Sequence, residues 1–101
     1  MSVGRKLTVA VADESGEHNV TVIGRDAWAL QELINAGQKG CTPLDNPAPR
    51  WSHYVWKLRQ AGVAVETIHE RHGGDFPGHH ARYVLTSRVR IVEGGEQRVA
   101  A

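Results

Sequence analysis

Arg50-Trp51-Ser52-His53-Tyr54-Val55-Trp56-Lys57-Leu58-Arg59-Gln60-Ala61-Gly62-Val63-Ala64-Val65-Glu66-Thr67 is the stretch whose reading decides the fold. Trp51, Tyr54, Val55 and Leu58 recur at spacings of three and four, which places them on one face of a helix. Arg50, His53, Lys57 and Gln60 fall opposite, with Ser52 and Trp56 on the flanks. Residues 50–60 therefore read as a helix that buries one stripe and turns donors and cations outward. Gly62 follows the last periodic residue, where a left-handed conformation closes a helix. Val63, Val65 and Thr67 then alternate as a strand does.

Working outward, residues 63–69 predict one strand and residues 81–92 a second, with Tyr83, Leu85, Val89 and Ile91 in step and a kink at Ser87-Arg88. The glycine- and proline-rich residues 71–79 form the tip of that hairpin. Upstream, Gly24-Arg25-Asp26 opens a helix with Ala27, Leu30, Leu33 and Ile34 at helical spacing and Gly37 as its stop. Leu30, Leu33 and Ile34 are expected to face Val55 and Leu58. Trp28 lies off the centre of that stripe and is expected at the edge of the core, beneath the N-terminal residues. Thr42-Pro43-Leu44-Asp45 carries a helix-start signal, a threonine N-cap followed by proline and an acidic side chain. Pro47 and Pro49 disfavour helix at the residues before them, so this element is limited to about one turn and residues 46–49 form a rigid connection. Residues 7–12 and 19–23, rich in valine and threonine, read as a further hairpin around Asp13-Glu14-Ser15-Gly16-Glu17.

Ser52-His53-Tyr54-Val55-Trp56-Lys57-Leu58-Arg59-Gln60-Ala61-Gly62-Val63 resembles the recognition helix and first wing strand of bacterial winged helix-turn-helix regulators, whose pattern is Ser-His, a hydrophobic pair, Leu-Arg, then Ala-Gly-hydrophobic. Asn46-Pro47-Ala48-Pro49-Arg50-Trp51-Ser52 and Gly73-Gly74-Asp75-Phe76-Pro77-Gly78-His79-His80-Ala81-Arg82-Tyr83 are similar to segments of small proteobacterial and phage-borne winged-helix proteins. The likeness spans residues 20–92. It departs from the pattern in the very short helix before the recognition helix and in the prolines of the connecting turn. The resemblance implies an α+β winged helix-turn-helix, here with an additional N-terminal β-hairpin. The domain would span residues 1–92, as hairpin 1–23, helical core 24–62 and wing 63–92, with 93–101 as a frayed tail. It also implies that the Ser52-His53 pair lies at a DNA contact.

Length and composition agree with one soluble domain: 101 residues, 41% hydrophobic and 23% charged. No run approaches the ~20 apolar residues that span a bilayer. Met1 to Lys6 leads into an alternating segment and not into a signal-peptide core, so the expected location is cytoplasmic, on the nucleoid when DNA-bound. Cys41 is the single cysteine, which excludes an internal disulfide, and it reads as a small buried residue. The net charge of +1 hides an uneven distribution. Residues 1–49 hold four Lys/Arg against six Asp/Glu, and residues 50–92 hold seven against three. A basic segment that coincides with the reading helix and the wing is the footprint of phosphate contacts.

No nucleophile elbow, phosphate-cradling loop or paired catalytic carboxylates occur, so an enzyme is not expected. His69, His72, His79 and His80, with Asp75, have ligand potential, but their spacing matches no zinc pattern and no metal or other cofactor is expected. The expected function is sequence-specific binding of double-stranded DNA by a transcriptional regulator. Arg50 and His53, with Ser52, would contact base edges, and Lys57, Arg71 and Arg82 would take phosphates. A domain this small makes few contacts, so a homodimer or a larger protein complex is expected. The alternative from a different class is a protein-interaction module that uses Trp56 and the N-terminal hairpin.

Overall fold

The computed structural model describes residues 6–48, 50–72 and 78–94, without the side chains of His72 and His79. Its elements are β1 (Lys6–Asp13), β2 (Gly16–Ile23), α1 (Gly24–Ala36), α2 (Trp51–Gln60), β3 (Val65–His72), β4 (Gly78–Leu85) and β5 (Arg88–Gly94). They form an α+β fold with two antiparallel sheets, one in the order β2-β1-β5 and one made of β3 and β4.

Valine alternation makes the first sheet one-sided. Leu7, Val9 and Val11 of β1 and Val20 and Val22 of β2 are buried on the same face, since side chains two apart share a face. The turn between these strands is closed by Asp13, whose Oδ1 accepts from the Ser15 amide at 2.9 Å and from the Ser15 hydroxyl at 2.8 Å. Those bonds hold the Asp13 carboxyl below its usual range. Against the buried face lies α1, and α2 packs on α1. Leu30 and Leu33 meet Val55 and Leu58 in one core, with Ile34 partly buried at its rim.

After α1 a 3-10 turn, Gly37–Lys39, leads to Gly40. There the backbone runs so close to β4 that a Cβ would sit 2.5 Å from the Tyr83 carbonyl oxygen, and φ is +73°, so glycine is required. Cys41 then exchanges two hydrogen bonds with Tyr83, each 2.8 Å, fastening the β3–β4 wing to the helical core. The Cys41 thiol is buried, and burial pushes its pKa up to about 11. Thr42 makes the expected single turn: its Oγ1 accepts from the Asp45 amide at 3.0 Å, and its carbonyl accepts from the Asn46 amide at 2.8 Å.

Two expectations are corrected. Residues 81–92 are two strands in different sheets: β4 pairs with β3, whereas β5 pairs with β1 after the break at Thr86-Ser87. The alternation of Tyr83, Leu85, Val89 and Ile91 continues across that break because both strands turn apolar side chains toward the same core. The wing strands are longer than expected, reaching His72 and starting at Gly78, and Glu93 and Gly94 belong to β5 instead of a tail. The tip at 73–77 and residues 95–101 lie outside the described residues. Trp28, as expected, is partly buried at the edge of the core, where its ring lies 5.5 Å from Trp51 and 6.5 Å from Tyr54.

Candidate nucleic-acid interface

The entry into α2 is fixed by its first residues. Arg50 is half in the helix: its φ of −138° is extended, while its carbonyl accepts from the His53 amide at 3.0 Å and the Tyr54 amide at 3.1 Å. Trp51 donates its indole N–H to the Asn46 carbonyl at 2.7 Å and stacks on Tyr83 at 5.8 Å. Asn46 in turn donates to Glu32 at 3.1 Å. The connection is thus tied to α1 and to α2, although Pro49 lies outside the described residues. At the other end, the Val63 amide bonds the Leu58 carbonyl and the Gly62 amide bonds the Arg59 carbonyl. Gly62 has a φ of +102°, which makes this the paired closure that a helix-stopping glycine allows.

Burial then defines the outward face. Trp51, Tyr54, Val55 and Leu58 are buried, and Ser52, His53, Trp56, Lys57, Arg59 and Gln60 are exposed. No acidic residue occurs in α2. At spacings of three and four, His53, Trp56, Lys57 and Gln60 form the ridge of this face. Trp56 is at its centre, not on the flank where the sequence reading put it. It is 54% exposed and stacks on the His53 ring, with centroids 6.1 Å apart and planes inclined by 21°. The signal was present in the sequence, since Trp56 stands nearly half a turn from Trp51, Tyr54 and Leu58.

On one side of this ridge stands the wing. Arg59, to which the sequence reading gave no role, ties α2 to β3: its Nε and Nη2 donate to the Val65 carbonyl at 3.1 and 2.6 Å, and Nη2 reaches the Thr67 hydroxyl at 2.8 Å. Arg71 is exposed on the wing and makes no ion pair among the described residues. Arg82 is differently placed. Its Nε donates to Glu70 at 2.8 Å and its Nη1 to the Lys39 carbonyl at 2.9 Å. Glu70 also meets His80 Nε2 at 3.0 Å. The hydrogen bond from Arg82 is the main reason the Glu70 carboxyl lies below its usual range, with His80 adding to it. Among the described residues no group of three or more His, Cys, Asp or Glu side chains converges as a metal site. Asp75 and the side chains of His72 and His79 lie outside those residues.

On the other side of the ridge stands α1. The Arg25 guanidinium lies over the Trp28 ring at 4.5 Å and the Tyr54 ring at 5.7 Å, and its Nε donates to the Tyr54 hydroxyl at 3.4 Å. Tyr54 follows Arg50 by one turn and precedes Lys57 by one turn, so Arg25 shares a flank of α2 with both. The Arg25–Trp28 spacing is legible in the sequence, but the Tyr54 contact joins two helices and is not.

Two helices, a wing hairpin beside the second of them and a short turn between them make a winged helix-turn-helix. No helix is long and apolar enough to cross a membrane among the described residues. No curated protein and no solved structure matches the chain. A family profile described as a winged helix domain matches residues 19–95, which covers α1, α2, the wing and β5, and the chain belongs to that winged-helix family.

Proposed function

We propose that the chain is a sequence-specific double-stranded DNA-binding protein that acts in transcription regulation. The observation that carries this reading is the outward face of α2: basic, without a carboxylate and polar apart from Trp56, on a helix bonded at both ends. A major groove about 12 Å wide admits such a helix. Arg50, Ser52 and His53 stand at the end that would enter first, where arginine can donate two bonds to guanine. Lys57 and Arg71 are exposed cations suited to phosphates. Arg82, bonded to Glu70 and Lys39, would contribute mainly by holding the wing. A single module of this size buries little nucleic acid, so a second copy or a partner protein completes the operator complex.

Selection from a random duplex library, followed by titration against the selected site and a scrambled duplex at several salt concentrations, tests this. The reading expects steep salt dependence and a preference for the selected site. Arg50→Ala should cost about 1–3 kcal/mol and relax the preference at one or two base pairs. Failure to bind any duplex would sink the reading. One observation favours a second one: the half-exposed Trp56 at the centre of the α2 face is the kind of side chain that anchors protein interfaces. A protein-interaction module would bind a protein partner with little salt dependence, and Trp56→Ala would abolish that binding.

A further inference from the structure

We propose that Arg25 is a phosphate clamp, gripping the DNA strand on the α1 side of α2 while the wing meets the strand on the other side; this rests on the DNA-binding reading. The geometry is that of a preorganised donor. Two aromatic faces, Trp28 at 4.5 Å and Tyr54 at 5.7 Å, hold the guanidinium from beneath. One nitrogen, Nε, is committed to the Tyr54 hydroxyl. The terminal nitrogens make no hydrogen bond and no ion pair among the described residues, although Asp26 is the neighbouring residue. They leave a planar fork of N–H donors turned to solvent, which matches two oxygens of one phosphate.

The position favours a phosphate over a base. Arg25 belongs to α1 and not to the ridge of α2, so with α2 in a groove it stands beside the groove wall, where backbone oxygens lie. Arg50 and Lys57 share that flank, and on the far flank Arg59 fastens the wing. The ridge of His53, Trp56, Lys57 and Gln60 therefore runs between Arg25 on one side and Arg59 with the wing on the other. The aromatic cushion gives Arg25 a second property: its stem and plane are already ordered, so binding would immobilise little more of it.

The variants Arg25→Gln and Arg25→Lys test the assignment. Glutamine keeps a polar stem over Trp28 without the charge; lysine keeps the charge without the fork. Thermal melting first establishes that both are folded. Each is then titrated, beside the wild type, against a selected duplex and a scrambled one across a salt series. Arg25→Gln is expected to lower the log–log salt slope by about one and to weaken both duplexes by a similar factor, on the order of ten-fold at low salt, leaving the base preference unchanged. Arg25→Lys is expected to restore the slope. A wild-type slope and affinity in folded Arg25→Gln would overturn the clamp while leaving DNA binding intact. A changed base preference would overturn it in favour of a base contact. A wild-type protein that binds neither duplex overturns both readings together.

Discussion

The two hairpins of this chain are built from strands of equal length, eight residues each, and are put to opposite uses. In β1–β2, Leu7, Val9, Val11, Val20 and Val22 are buried and form one wall of the core. In β3–β4 only Val65 and Tyr83 are buried among the described residues, both toward the α2 end, and charged side chains occupy much of what lies beyond. One hairpin is held by what it buries. The other is held by fasteners at its base: the Cys41–Tyr83 bridge, the Arg59 bonds to β3, and the bonds from Ser87 and Thr86 to Ala64. A projecting arm can thus be rigid without contributing much core, which leaves its outer surface free to be charged.

The contrast would break if core and arm responded alike to truncation. Leu7→Ala should destabilise by about 2–5 kcal/mol, the usual cost of a large-to-small change at a fully buried site. Ile68→Ala, at a side chain 39% exposed on the wing, should stay within about 0.5 kcal/mol. Chemical denaturation of both variants makes the comparison, and equal losses would mean that the wing shares the core. The next largest effect tests the fastening. Gly40→Ala forces a Cβ onto the Tyr83 carbonyl in a left-handed conformation, so a loss of about 2 kcal/mol or more is expected, with hydrogen exchange at Cys41 and Tyr83 speeding up before that of β1.

The smallest effect depends on pH. The folded Glu70 carboxyl lies below its ordinary value of 4.5, mainly through Arg82, so its contribution is present above that value and is lost as pH falls through the folded one. Glu70→Gln should therefore melt below the wild type at neutral pH, and the gap should close in acid. A gap that persists unchanged in strong acid would place the benefit of Glu70 in something other than its charge.

Local patterns made much of the fold legible. Two helices, the stop at Gly62, the single turn at Thr42 and the existence of both hairpins follow from periodicity, turn chemistry and proline sterics acting within a few residues. The partner of β5 did not follow, because alternation says which side of a strand is buried and not which strand lies next to it. The candidate site divides in the same way. Arg50, His53 and Lys57 are placed by helical spacing alone. Arg25 over Tyr54, Arg59 on Val65 and Arg82 on Glu70 each join two elements, so composition reports three cations without saying which are already engaged. Trp56 differs for another reason: it was placed on a flank of the helix, while the helix geometry turns it outward with His53 and Gln60.

The pairing of β5 with β1 brings Leu7 beside Gly94, so almost the whole described chain lies between two neighbours in one sheet. Closing so long a loop costs entropy that only the finished contact returns. During synthesis the first hairpin can form early, but one edge of β1 waits for the last strand. The winged-helix body and its N-terminal addition therefore mature together only once β5 has been made, and a ribosome stalled before Arg88 would hold a chain with an open edge in the middle of its main sheet.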